Sequence, residues 1–310
     1  MPAPTIKCPP ARRAALGPFL LLSLALCALR AAPAAQDDEV LRVNTDLIVL
    51  NVTVTDHRGE YMHGLQQSDF KVFEDGHEQV IQSFDVEQTP FAAALLLDTS
   101  GSMEGRLSLA RSAAIQFLDG LRTDDVAAVY RFDSKVEVIQ EFSPSRDLAD
   151  MAYGLRADGM TVLNDAIVRA AADLARRPEK RRAIIVLSDG ADTRSAASAD
   201  KALTHAIAAN ATIYAVDMAA ADSPAATRQM AAGALREFAL KTGGRYIPTP
   251  GGQALREAFA AIVEELSNQY TLSYKSSNRA RDGKWRNIEI KLARPGLVAR
   301  TRRGYRAPRA

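Results

Sequence analysis

The sequence predicts an α/β fold: a doubly wound, mostly parallel sheet, with a smaller all-β module formed by the N- and C-terminal flanks. Three observations predict it. Residues 91–97 and 182–187 are nearly unbroken apolar runs, as expected of strands covered on both faces in a parallel sheet. Between residues 91 and 268 such runs alternate with segments of helical apolar spacing, the order that right-handed strand–helix–strand crossovers need. Before residue 91 and after residue 268 the apolar pattern has period two, with turn residues between short runs.

The 310 residues are 47% hydrophobic and 25% charged, enough for one large domain and a smaller one. Residues 1–35 have the layout of an export signal. Lys7, Arg12 and Arg13 are basic, residues 14–29 are apolar but too short before Arg30 for a membrane span, and Ala32 and Ala34 suit a cleavage site. Cleavage is expected near Ala35 or Gln36, with an uncleaved N-terminal anchor as the alternative. Leu26 is bulky for a lipoprotein signal at Cys27, and the neighbours of Arg12 and Arg13 do not support twin-arginine export. Both cysteines, Cys8 and Cys27, fall in this segment, so the mature chain is expected to hold no disulfide, thiolate metal site or cysteine nucleophile. Such a protein is ordinary among exported bacterial ones, whether periplasmic, surface-bound or secreted.

The N-terminal β module is expected over residues 36–90, with strands at 47–55, 70–73 and 80–84 and turns at 56–59 and 74–76. The α/β domain is expected over 91–268. Its strands fall at 91–97, 126–132, 136–142, 182–187, 212–216 and 246–247, the second and third close enough to form an edge hairpin. Its helices fall at 107–121, 148–155, 162–175, 199–209, 230–241 and 255–266, the fifth stopped by Gly243 and Gly244. Residues 269–310 return to strands at 270–274, 285–292 and 297–301, and are expected to pack with the N-terminal module. The α/β domain would then be an insertion in one β module. The arginines crowding 294–309 read as a solvated, frayed basic tail. A net charge of +2 gives no electrostatic footprint for nucleic acid.

The chemistry concentrates at strand ends. Asp98, Ser100 and Ser102 directly follow the run 91–97, where open α/β sheets place their ligands. One carboxylate and two hydroxyls at alternate positions make an oxygen-only set suited to a hard cation such as Mg2+. Thr161 precedes the helix beginning at 162 as a candidate N-cap, and Asp189 ends the strand at 182–187. If the strands beginning at 91 and 182 are neighbours, Asp98 and Asp189 face one crevice. Asp165 reads as a hydrogen-bond partner or first-turn charge, and Asp133 and Asp217 as loop residues behind the site. His57, His63, His77 and His205 lack metal-ligand spacing, and Trp285 with its neighbouring tyrosines reads as β-module core.

The ordered set Asp98, Ser100, Ser102, Thr161 and Asp189 resembles the metal-ion-dependent adhesion site of von Willebrand factor A domains. Residues 70–76 and 285–305 resemble the flanks of exported A-domain-related proteins frequent in Acidobacteria. The resemblance implies that Ser100 and Ser102 bind Mg2+ directly, with Mn2+ and Ca2+ as alternatives. It implies that Thr161 binds directly or through water, and that Asp98 and Asp189 act mostly through waters. The partner would be a protein offering an acidic side chain to the open coordination position. An enzyme is not expected. Ser100 stands where an aspartyl phosphatase would want a second aspartate and an aspartic protease a glycine, and no serine-nucleophile elbow is present. An envelope scaffold with a stabilising or vestigial metal site is the alternative function.

Overall fold

A computed structural model describes residues 47–86, 89–189, 192–219, 225–248 and 252–309. The export segment, both cysteines and the acidic stretch at 37–39 lie outside the described residues. Four strands come first: β1 (Ile48–Thr55), β2 (Phe70–Glu74), β3 (His77–Gln79) and β4 (Ile81–Asp85). The α/β region then runs β5 (Phe91–Asp98), α1 (Leu107–Asp119), β6 (Val126–Phe132), β7 (Val136–Ser143), α2 (Leu163–Ala175), β8 (Arg181–Ser188), α3 (Ala199–Ala208), β9 (Ala211–Asp217), α4 (Ala225–Thr242), β10 (Tyr246–Pro248) and α5 (Gly252–Ser267). Four strands end the chain: β11 (Tyr270–Tyr274), β12 (Trp285–Leu292), β13 (Val298–Arg300) and β14 (Gly304–Arg306).

The central sheet has the order β10-β9-β8-β5-β6-β7 and is parallel except for β7, which returns beside β6 as the expected edge hairpin. Every residue of β5 is buried because helices cover both faces. Phe91, Ala93, Leu95 and Leu97 point into the layer of α1 and α5, where Phe117 meets Phe259 edge to face. Ala92, Ala94 and Leu96 point into the opposite layer with Ile167 of α2, Ala206 of α3 and Leu235 of α4. The alanines on this second face let the helices approach closely. α4 ends at Thr242, and Gly243 takes φ +83. Gly244 lies so near β9 that an added Cβ would sit 1.9 Å from the Ile213 carbonyl oxygen.

The flanking strands interleave. One four-stranded sheet has the order β13-β1-β11-β4 and the other β14-β12-β2-β3, so each mixes strands from before and after the α/β region. β1 runs antiparallel to β11 with Ile48 opposite Tyr274, and β12 antiparallel to β2 with Ile290 opposite Val72. Leu50, Val52, Val72, Tyr270 and Leu272 form the core shared by these sheets.

Several expectations need correction. The 148–155 segment makes a short 3-10 turn, Asp150–Gly154, instead of an α-helix. Val80 is 80% exposed and outside β4. The terminal arginines are not a frayed tail. β14 pairs with β12, Arg294 pairs with Asp69, Arg300 with Glu265, and Arg302 is 8% exposed. Their partners are remote in sequence, so the charge run concealed them. Among the described residues no helix is long and apolar enough to cross a membrane.

Candidate metal centre

β5 and β8 are parallel neighbours with Leu97 opposite Leu187, so Asp98 and Asp189 leave the sheet side by side at its carboxyl edge. Asp98 is fully buried. Its Oδ1 accepts the Ser100 amide at 2.9 Å, and its Oδ2 accepts the Ser188 hydroxyl at 2.5 Å. The first bond bends the chain into the 3-10 turn Gly101–Met103, which brings the Ser100 and Ser102 hydroxyls to 3.1 Å of each other. Ser100 is buried and Ser102 exposed, so the pair runs from the sheet edge outward.

Backbone bonds fasten a second loop to the first. The Asp158 amide donates to the Thr99 carbonyl at 2.9 Å, and the Gly101 amide to the Gly159 carbonyl at 3.3 Å. Thr161 follows, 3% exposed. It is not the N-cap of α2; that position is Val162, whose side chain makes no cap bond. The third loop supplies the capping groups. Asp192 Oδ2 accepts the Asn164 amide at 2.8 Å, and the Ser195 hydroxyl accepts the Asp165 amide at 3.1 Å. The Thr161 backbone is held by Thr193 and Arg194.

Asp165 returns the favour to the third loop, accepting the Ala196 and Ala197 amides at 2.9 and 2.8 Å. It is a hydrogen-bond partner, as its position suggested. Asp133 accepts the Lys135 amide, pairs with Arg131, and accepts the Thr99 hydroxyl at 3.4 Å. Asp217 is held by the Tyr246 hydroxyl and the Ala219 amide. The sequence reading missed Ser188 and Asp192. Both are ordinary polar residues near a strand end, and only the pairing of β5 with β8 and the packing of the third loop on α2 give them roles.

Two electrostatic facts characterise the cluster. Asp189 Oδ1 is buried with no hydrogen-bond partner among the described residues. Burial lifts the Asp98 carboxyl to about 6, against hydrogen bonds from Ser100 and Ser188, and the Asp189 charge adds to the lift. Two neighbouring carboxylates thus share this edge, and among the described residues neither is ion-paired with a cation. Among the described residues no group of three or more His, Cys, Asp or Glu is placed to hold a metal. The donors gathered here are instead mixed hydroxyls and carboxylates. An orphaned carboxylate oxygen beside such a set fits a hard divalent ion of oxygen preference.

Residues 93–191 match the family model of the von Willebrand factor type A domain. An uncharacterized protein of Synechocystis sp. is 33% identical over 106 residues, covering 33% of this chain and 25% of that protein. The chain therefore matches about a quarter of that relative's length. Among solved structures, a von Willebrand factor type A protein from Catenulispora acidiphila is 14% identical, with a TM-score of 0.47 over 79% of this chain and 75% of that one. The PilB minor pilin from Streptococcus sanguinis is 15% identical, with a TM-score of 0.46 over 62% and 63% of the two chains.

Proposed function

We propose that this chain, which carries a von Willebrand factor type A domain, is an exported protein-interaction module that grips a partner's carboxylate through a bound Mg2+. The observation that supports the reading is the buried Oδ1 of Asp189, without a hydrogen-bond partner among the described residues, beside buried Asp98 and the Ser100 and Ser102 hydroxyls, which lie 3.1 Å apart. In this reading Ser100 and Ser102 hold the ion through their hydroxyl oxygens, and Thr161 contributes directly or through water. Asp98 and Asp189 would act mostly through waters and would offset the ion's charge. The Asp98 bonds to the Ser100 amide and the Ser188 hydroxyl fix the carboxylate before any ligand arrives. With neutral oxygens as direct donors, Mg2+ held here would stay strongly electrophilic, a chemistry suited to an acidic side chain of the partner. Export rests on the sequence of residues 1–35.

The test is calorimetric titration of Mg2+ into the chelator-treated protein, followed by Mg2+-dependent capture of partners from the source organism's envelope. The wild type should bind one ion and capture a partner only with Mg2+. Asp98→Ala should do neither. Equal capture in chelator would overturn the reading. Ion binding with a raised melting temperature and no captured partner would favour the scaffold alternative.

A further inference from the structure

A cleft of about 470 Å3 opens between α3 and the terminal strands, away from the metal centre and sharing no residue with it. Its volume is that of a small-molecule site, which typically spans roughly 300–1,000 Å3. The walls are Trp285 and Tyr305 on one side and Leu203 and Ile207 of α3 on the other, with Ile48 beside them. Most of this lining is apolar, and the aromatic rings offer flat faces.

Arg302 breaks that pattern. It lines the cleft, is 8% exposed, and has no ion pair with any described carboxylate. Its Nη1 donates to the Ile207 carbonyl at 3.0 Å and to the Asn210 side chain at 3.1 Å, while Nε is buried without an acceptor. Burial draws its pKa down to about 10, so the guanidinium keeps its charge at neutral pH. The two other cations on the lining are already matched: Lys241 pairs with Glu237 and Arg306 with Asp200. Two acceptors and the Tyr305 ring, 5.9 Å from the guanidinium carbon, replace part of its hydration, but no described carboxylate balances its charge, which is costly at an apolar wall. A ligand carboxylate would supply the missing charge through a charge-assisted hydrogen bond.

We propose that this cleft binds a small organic carboxylate with an apolar body, its carboxylate received by Arg302 and its body laid between Trp285, Tyr305 and α3. Trp285 is the only tryptophan of the chain, so its emission reports on the site directly. Octanoate and octanol, equal in length and differing in charge, serve as probes of the full chain. Octanoate should shift Trp285 emission with at least tenfold higher affinity than octanol, and this preference should fall as salt rises. Arg302→Met should abolish the preference. Because Arg302 also holds α3, Thr204→Phe provides a second variant: Thr204 is exposed on the lining, and the larger side chain should block the probe with α-helical and β signals unchanged. Equal affinities for the two probes, no response to either at low millimolar concentration, or full octanoate binding by Thr204→Phe would each overturn the proposal.

Discussion

The Glu265 carboxylate of α5 lies 2.5 Å from the Arg300 guanidinium of β13, and so ties the central α/β layer to the outer β strands. Glu265 is 1% exposed, and its Oε1 also accepts the Tyr214 hydroxyl of β9 at 2.7 Å and the Thr53 hydroxyl of β1 at 3.3 Å. Burial first, and then the Glu265 charge and hydrogen bond, push the Tyr214 pKa well above its ordinary value, while the Arg300 charge opposes the rise. Glu265→Ala should destabilise the fold by roughly 3–5 kcal/mol, because Arg300 and two hydroxyls lose their shared acceptor. Urea unfolding of Glu265→Ala, Arg300→Met and the double variant checks this. The double variant should lose much less than the sum of the singles.

At the sheet edge, Ser102→Ala should separate ligation from folding. The side chain is exposed, so removal of its hydroxyl should leave metal-free stability within about 0.5 kcal/mol of wild type. Mg2+ affinity should drop tenfold or more. Calorimetric titration alongside thermal melts in chelator distinguishes the two effects.

Asp98 predicts a pH dependence of the metal-free protein. Its folded value of about 6 lies above the ordinary 3.8, with burial the main cause. The unfolded chain therefore releases this proton first as pH rises. Stability contributed by the neutral carboxyl is complete below about 4, declines between about 4 and 6, and is gone above that; at 1.36 kcal/mol per unit the change is roughly 2–4 kcal/mol. Asp98→Asn should flatten that decline. Denaturant midpoints measured in chelator from pH 4 to 7.5 test it.

Asp165 holds the third loop by accepting two backbone amides. Asp165→Ala leaves both without that acceptor and should cost about 1–3 kcal/mol. Hydrogen exchange should accelerate at Ala196 and Ala197 ahead of the rest of α2 and α3. Unchanged protection there would show that other groups hold the loop.

Gly244→Ala should be far more damaging than Gly76→Ala. Both are glycine positions in turns, but a Cβ on Gly244 strikes backbone of β9, whereas a Cβ on Gly76 meets nothing within 4 Å and only the cost of φ +82. Expression yield and melting temperature of the pair give the comparison, with Gly76→Ala losing on the order of 1 kcal/mol.

The parallel sheet was legible because β5 and β8 carry unbroken apolar runs, Phe91 to Leu97 and Ala183 to Leu187, as expected of strands buried on both faces. The candidate donors were legible because each sits at a strand end or loop start that this pattern locates. What escaped was set by partners far away in the chain. β3 carries His77, Glu78 and Gln79, and is a strand only because β2 lies beside it. Arg300 and Arg302 looked like a solvated run until Glu265 and the Ile207 carbonyl met them. Thr161 looked like a cap because Asp192 and Ser195, which take the α2 amides, are contributed by a loop some thirty residues on. Trp285 was expected in the β-module core, and instead it packs half-buried against the helical layer and lines the α3 cleft.

The interleaving of the flanking strands has a consequence for synthesis. The Leu65 amide is bonded to the Tyr270 hydroxyl, 205 residues later, and β1 finds β11 only after the whole α/β region has been made. Until then the opening strands emerge from the ribosome with open edges, while the parallel sheet can already collapse on its own helices. A chain cut short before residue 270 would carry the edge with Asp98 and Asp189 but an outer layer with no mates. The strands from β11 to β14 thus act as a seal on the outer layer, set only after the α/β region has been made.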